Sequence, residues 1–305
     1  MTVGVVVTTY RQVHYLAETL DSVCTAQTRS PDQVVVVEDG SSDGAANIAS
    51  HYLNVRYHWQ PNAGVGAARN AGLRLLSTDH VVFLDGDDRL LPNALEVGER
   101  ALAPHSDAGW ASARSRRIDG DGKPLARQPE RRARVTTDHY RDLLRAPWIC
   151  PPGTVMFVRS RLLAAGGWVE DRAITGAEDF ELYLRMARLS TLVDTNAVTT
   201  DYRVHDANMS RNAAALLQAI TQVLERERGH VRFPEDEAAR EEGLAAFRRD
   251  LGLRASYQGL AGATGGRDRA QAAVGLFRHL TQHPNVFLRM AVAHVREPRP
   301  LAAMV

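Results

Sequence analysis

Carboxylates gather at the ends of apolar runs in this chain. Val81-Val82-Phe83-Leu84 leads into Asp85-Gly86-Asp87-Asp88. Val34-Val35-Val36-Val37 leads into Glu38-Asp39-Gly40-Ser41-Ser42-Asp43, and Val5-Val6-Val7 into Thr8-Thr9-Tyr10. An Asp-x-Asp pair behind an apolar strand suits a hard divalent cation. Carboxylate oxygens favour magnesium or manganese, which stay partly hydrated and bridge to a substrate diphosphate. The bland alternative is an acidic turn that caps the next helix. A second candidate is Gly64-Val65-Gly66-Ala67-Ala68-Arg69. It fails as a dinucleotide fingerprint. Arg69 stands where the third small residue belongs, and Gln60-Pro61-Asn62-Ala63 precedes it instead of a strand. It reads as a glycine-permitted loop entering a helix, with the helix N-terminus and Arg69 near phosphate.

These residues need a frame that collects strand ends. The apolar runs at 3–7, 34–37 and 81–84 have the continuous character of strands buried on both faces, and 55–59 reads as a further strand. Between them, helical spacing recurs around Leu16, Leu20 and Val23, over 45–53 with Ser42 or Asp43 as N-cap, and over 65–76. Pro92 suits the first turn of a helix reaching about Ala103. The alternation predicts an α/β fold, a mostly parallel Rossmann-like sheet with flanking helices. Ligands of such sheets bind beyond the carboxyl ends of the strands, so the three polar clusters predict one site. Further strands are expected at 108–113, 153–159 and 191–198, and a helix at 176–189.

Residues 114–134 are polar and irregular, with eight basic residues (Arg114, Arg116, Arg117, Lys123, Arg127, Arg131, Arg132, Arg134) against Asp119, Asp121 and Glu130. They read as a solvated excursion, with Asp119-Gly120-Asp121-Gly122 as a turn; the functional alternative is a basic flap facing an anionic acceptor or lipid headgroups. From about 212 the pattern is helical, clearest over 214–227, 235–251 and 268–283, and 286–295 is amphipathic. The domain reading is a catalytic domain over 1–210 and a helical C-terminal extension over 211–305.

Bulk properties narrow the function. The 305 residues carry 37 Lys+Arg against 36 Asp+Glu, a formal charge of +1. No overall basic field draws in nucleic acid. Hydrophobic residues make up 44% and charged residues 24%, an ordinary globular balance. Cys24 and Cys150 lie far apart without metal-ligand spacing, and both are expected as packed thiols in a reducing compartment. No apolar run reaches a membrane span, and residues 1–10 do not read as a signal peptide. The expectation is a cytoplasmic protein, with peripheral contact to the inner membrane face and a homodimer both compatible.

The ordered motifs resemble the inverting GT-A glycosyltransferases of family 2. They are Val5-Val6-Val7-Thr8-Thr9-Tyr10, Val35-Val36-Val37-Glu38-Asp39-Gly40-Ser41-Ser42-Asp43, Asn62-Ala63-Gly64 with Ala68-Arg69-Asn70-Ala71-Gly72, and Phe83-Leu84-Asp85-Gly86-Asp87-Asp88. Gly166-Gly167-Trp168, Gly176-Ala177-Glu178-Asp179 and Tyr202-Arg203-Val204-His205 follow. The resemblance covers residues 3–210. It implies the GT-A nucleotide-diphospho-sugar transferase fold and a nucleotide-sugar donor, a UDP-sugar first, with Mg2+ or Mn2+. It implies that Thr8, Tyr10, Glu38, Asp39 and Asn62 border the nucleotide. Arg69 lies beside it, Asp85 faces the ribose or sugar, and Arg203 touches the diphosphate. Asp87 is the implied metal ligand, with Asp88 and His205 beside it. Asp179 is the implied general base, supported by Glu178. The sequence departs from the pattern at Thr8, where many members have Pro, at Arg11, where many have Asn, and at Glu38, where Asp is commoner.

The chemistry implied is one in-line displacement. A carboxylate takes the proton of an acceptor hydroxyl as it attacks the anomeric carbon, and a metal offsets charge on the departing nucleoside diphosphate. The base must face the leaving group from the opposite side, so Glu178-Asp179, far along the chain from Asp87, suits that demand. Trp168 either stacks on an acceptor sugar or sits in the core. A glycan, a lipid-linked intermediate or a small metabolite each suits as acceptor. The rivals are a nucleotidyltransferase on a similar fold, a catalytically inactive nucleotide-sugar-binding protein, and a phosphatase using Asp85 as nucleophile. Arg89 argues against the last, standing where a small hydroxylated or apolar residue is usual.

Overall fold

The structure is a computed structural model. It describes residues 1–126, 138–146 and 148–262, with a few helical positions between 270 and 281. The expectations for Arg127, Arg131, Arg132, Arg134 and the 286–295 stretch lie outside the described residues, as does most of 268–283. The fold divides into two units. The first is Met1–Leu143 with Pro147–Asp206, and the second is Leu144–Ala146 with the residues from Ala207 onward.

The first unit is built on one eight-stranded mixed sheet. Strand β1 (Val3–Thr9) is followed by helix α1 (Val13–Cys24), β2 (Gln33–Glu38), α2 (Ala45–Ala49), β3 (Val55–Trp59), α3 (Val65–Leu75) and β4 (His80–Asp85). Then come β5 (Arg89–Leu90), α4 (Ala94–Leu102), β6 (Ala108–Ile118), α5 (His139–Arg145), β7 (Val155–Val158), α6 (Arg159–Ala164), α7 (Glu178–Leu189) and β8 (Thr191–Arg203). The sheet order is β3-β2-β1-β4-β7-β6-β8-β5. Strands β1 to β4 pair in parallel, and β7 enters antiparallel between β4 and β6. Every residue of β1 is buried, as its unbroken Val run requires.

The chain leaves β1 toward β2 and β3, then returns to its other side with β4. The order therefore reverses between β1 and β4, and a crevice opens at their carboxyl ends. Thr8 stands opposite Asp85 across it, and Thr9 opposite Glu38 on the other flank. Helix α3 lies close on β1 because Gly72 has no side chain. A Cβ there would come within 2.3 Å of Val6 Cγ1.

Several boundaries differ from the sequence expectation. Helix α2 ends at Ala49 instead of 53, because Tyr52 turns back to hydrogen-bond Ala17 O (3.0 Å) and Asp21 (2.8 Å). Asp43 does not cap α2 either. Its carboxylate accepts the amide of Val13 at the start of α1, 3.1 Å away. Strand β6 runs to Ile118, so Arg114, Arg116 and Arg117 belong to the sheet and not to a solvated excursion. Strand β8 pairs along that extension, and Arg116 is held by the buried Asp201. Cys24 is half-buried, its thiol pushed up to about 11 by burial and then by Asp21, but Cys150 is exposed and not a packed thiol.

In the second unit α8 (Ala213–Glu227) packs against α9 (Pro234–Gly262) through Ile220, Val223, Leu224, Ala239 and Leu244. Asn212 caps α8 by accepting the amide of Ala215 at 3.1 Å. No helix among the described residues is long and apolar enough to cross a membrane.

Gly72→Ala should destabilise the chain by about 1 to 3 kcal/mol, since Val6 is a stiff, fully buried neighbour that cannot step aside. Urea unfolding checks this, and a midpoint equal to that of the natural chain would contradict it.

Candidate active site

Arg69 stands at the centre of the crevice. It points from α3 to Asp85 at the end of β4, with Nη2 2.7 Å from Oδ1. Its residue exposure is only 4%, and its guanidinium lies over the Trp168 ring, 4.3 Å from the centroid. Thr8 Oγ1 donates to the same Asp85 oxygen at 3.4 Å. At the start of α7, Glu178 and Asp179 come under the same guanidinium charge. Burial raises both carboxyls, while Arg69 pulls them down. The balance leaves Asp179 pushed up to about 6, with Glu178 adding to the rise. Burial alone would lower Arg69, but its three carboxylates outweigh that and hold it protonated. Glu178 also accepts the amide of Gly176 (2.8 Å), and Asp179 that of Phe180 (2.7 Å).

The neighbouring motif explains the shelf under Arg69. Asn70 Oδ1 accepts the amide of Trp168 (2.9 Å), and Asn70 Nδ2 donates to Trp168 O (2.8 Å) and Glu170 (2.7 Å). Gly167 keeps this contact open, for a Cβ there would meet Asn70 Oδ1 at 2.7 Å. Trp168 is buried edge-on to Phe83 and belongs to the core, which decides between the two readings of its sequence position.

A second pair lies on the loop after β4. His205 Nε2 is 2.8 Å from Asp87 Oδ2. Thr19 of α1 donates to the carbonyls of Gly86 (2.9 Å) and Asp88 (2.8 Å), pinning the loop. A carboxylate with an imidazole is a donor set that suits a divalent Mg2+ or Mn2+. Among the described residues no three Cys, His, Asp or Glu side chains are gathered into a closed metal cage. The remaining positions on a cation held by Asp87 and His205 would fall to substrate and water. Asp88 does not join the pair. It is 1% exposed, and its Oδ1 accepts the Arg203 amide (2.9 Å). Its Oδ2 is buried without a hydrogen-bond partner. Burial, then the charges of Asp87 and Asp85, hold its carboxyl well above the ordinary range.

The sequence expectation for Arg203 needs correction. Its residue is 1% exposed, and all three guanidinium nitrogens donate inward, to Asp87 O, Gly120 O and Glu18. It is not presented to a diphosphate. Glu38, Asp39 and Asn62 are likewise turned into the protein's own loops. Glu38 accepts from Ser41 Oγ (3.0 Å), the Ser42 amide and the Tyr57 hydroxyl (2.6 Å). Asp39 accepts the amides of Ala63 and Gly64 (2.9 Å each) and Gln60 Nε2 (2.8 Å). An internal carboxylate therefore takes the amides that lead into α3, where a phosphate was expected. Asn62 donates to Asp39 O (3.0 Å) and is itself held by Arg172. Of the expected nucleotide contacts, Tyr10 stands exposed, with Arg11 over its ring at a φ of +57°. That left-handed φ is uncommon for arginine and marks a strained turn at the crevice.

Sequence reading missed Tyr15, Glu18, Asn70 and Tyr57. Asn70 and Trp168 sat inside quoted motifs, but their contact joins segments 98 residues apart, and no spacing rule reveals that.

Residues 4–165, just over half of the chain, match the Glycosyl transferase family 2 profile, and the chain belongs to that family. An uncharacterized glycosyltransferase of Nostoc sp. is 26% identical over 225 residues, covering 70% of this chain and 68% of that protein. The chondroitin synthase of Escherichia coli is 25% identical over 212 residues, 68% of this chain but only 30% of that protein. Glycosyltransferase GlyA of Streptococcus pneumoniae is 40% identical over 99 residues, 31% of this chain and 14% of that protein. The chain thus spans less than a third of the length of the latter two. In fold it resembles S. aureus TarS 1-349 in complex with UDP-GlcNAc, at TM-score 0.65 and 18% identity over 92% of this chain and 81% of that one. It also resembles the mannosyltransferase PcManGT from Pyrobaculum calidifontis in complex with GDP-Man and Mn2+, at TM-score 0.63 and 18% identity over 99% and 83%. The fold is the GT-A fold.

Asp179 carries a pH signature. Its folded value lies above the ordinary carboxylate range, so its contribution is favourable at low pH and is lost as pH rises through about 6. Asp179→Asn should therefore be more stable than the natural chain at pH 8, by about 1 to 3 kcal/mol, with the gap closing toward pH 4. Denaturant titrations at both pH values check it, and a variant less stable at pH 8 would contradict it.

Proposed function

We propose that the chain moves a sugar from a nucleoside-diphosphate sugar, the UDP form first, to an acceptor hydroxyl with inversion at the anomeric carbon. The observation that carries this reading is the Asp85–Arg69–Glu178–Asp179 cluster at the switch point of the sheet. Two fold neighbours, seen with UDP-GlcNAc and with GDP-Man and Mn2+, support the donor class. The catalytic reading covers residues 1–210, and the helices over 211–305 are an accessory extension.

Asp179 is the general base. A carboxyl near 6 is ionised at neutral pH yet basic enough to take a proton, the compromise a general base needs. Its oxygen accepts the acceptor hydroxyl's proton as that oxygen bonds to the anomeric carbon. The bond from that carbon to the donor phosphate breaks, and the electron pair leaves with the nucleoside diphosphate. Glu178 lies beside the base, and Arg69 draws both carboxyls down against the rise that burial imposes. Asp85 faces the donor and is oriented by Arg69 and Thr8. Asp87 and His205 would hold a divalent cation, which when bound would offset negative charge on the leaving diphosphate. Asp88, Glu38, Asp39 and Asn62 act by fixing the loops that carry these groups.

Three outcomes test the reading. With an uncleavable donor in calorimetry, Asp179→Asn should bind as the natural chain does while losing about 100-fold or more in transfer rate. Asp87→Ala should lose the metal-dependent part of donor affinity. The transfer rate of the natural chain should fall about tenfold per pH unit below about 6, as the base is protonated. Full transfer by Asp179→Asn sinks the base assignment, and metal-dependent binding by Asp87→Ala sinks the metal assignment.

A further inference from the structure

Arg203 joins segments that lie far apart in the chain. It lies two residues before His205. Its amide donates to Asp88 Oδ1 at 2.9 Å, and its Nε donates to the carbonyl of Asp87 at 2.7 Å. The two residues of the Asp87–His205 pair sit on different segments, and Arg203 links those segments by backbone and side chain at once.

The guanidinium is itself gripped from α1. Glu18 accepts from Nη2 at 2.5 Å. The ring of Tyr15 lies under the guanidinium, 4.5 Å from Cζ, and it also meets the His205 ring, with centroids 5.3 Å apart. Tyr15 therefore touches both Arg203 and one member of the pair. Nη1 donates to Gly120 O at 2.9 Å, which fastens the Asp119-Gly120-Asp121-Gly122 turn to the same point. Glu18 also holds Arg89, and Arg89 reaches Gly122 O (3.0 Å) and Asp201 (2.7 Å). Gly122, at φ +80°, leaves room for this, since a Cβ there would meet Arg89 and Glu18 at 3.1 and 3.2 Å.

We propose that Arg203, clamped by Glu18 and Tyr15, is a positioning residue that holds Asp87 and His205 at one spacing, ready to take a divalent cation. The proposal rests on the reading of Asp87–His205 as the metal pair. Mg2+ and Mn2+ sites tolerate little error in ligand placement, and residues behind the ligands typically govern affinity by about 10–100-fold. A planar five-donor fork reaches three segments together, which a lysine ammonium cannot do. Coupling to α1 also gives Glu18, which is 42% exposed, a part in metal affinity although it lies outside the crevice cluster.

Manganese titration followed by electron paramagnetic resonance tests this, with uridine diphosphate and, separately, guanosine diphosphate as carrier. Arg203→Lys should weaken manganese binding about tenfold or more, and Glu18→Gln several-fold in the same direction. Nucleotide binding in chelator should stay unchanged in both. Transfer by both variants should recover toward the natural rate as manganese is raised, and the unchanged nucleotide binding in chelator separates this from a fall in folded fraction. Should Arg203→Lys fail to fold, Glu18→Gln decides alone, and natural manganese affinity in it overturns the proposal. Loss of transfer that manganese does not restore overturns it too. Asp87→Ala separates the two levels. If it binds manganese as the natural chain does, or if the natural chain binds none with either carrier, the metal pair itself falls and the clamp falls with it. If Asp87→Ala loses manganese while Arg203→Lys and Glu18→Gln match the natural chain, the clamp alone is wrong.

Discussion

One guanidinium makes the crevice possible. Asp85, Glu178 and Asp179 come from two distant segments, and bringing three carboxylates into a half-buried space is unfavourable through desolvation and mutual repulsion. Arg69 offsets both. It forms a 2.7 Å pair with Asp85 and lies within the field of the other two. Its own burial is made tolerable by the flat face of Trp168, which takes the guanidinium as a cation–π partner and not as a hydrogen-bond acceptor. Because Asn70 makes two hydrogen bonds to the Trp168 backbone, the arginine's shelf is tied directly to helix α3. The resulting charge balance leaves Asp179 near 6 and therefore useful as a base at neutral pH.

The sheet delivers these groups, and its loops are rigid for reasons internal to the protein. The reversal of strand order between β1 and β4 places Thr8 beside Asp85. Asp39 and Glu38 extend that order outward by accepting hydrogen bonds from the loops that follow. Acidic residues at a strand end thus serve two purposes here. Some face the crevice, and others replace water or ligand in holding loop amides. On the far side, Arg203 does the equivalent for the loop of Asp87 and Asp88.

The buried strands were legible in the sequence because the Val runs at 3–7, 34–37 and 81–84 admit few other readings. So was the gathering of their polar ends, since a parallel sheet leaves strand ends little choice. What each polar residue does there was less legible. Arg203 carries the same letter whether it meets a diphosphate or is sealed at 1% exposure, and only the fold decides. The same holds for Glu38 and Asp88. Strand β6 was cut short in the sequence reading because Arg114, Arg116 and Arg117 suggest solvent, while Asp194 and Asp201 on β8 supply partners to Arg114 and Arg116. Long-range pairing overrides local polarity at that point.

The central claim is that the crevice around Arg69 receives a nucleoside diphosphate with its sugar. A thermal-shift screen of nucleoside diphosphates and nucleotide sugars, with manganese or with chelator, tests it most directly, because a ligand bound only by the folded chain raises the melting temperature. The expected result is a rise for one base family in manganese that chelator removes. No rise for any nucleotide in the presence of metal would contradict the claim.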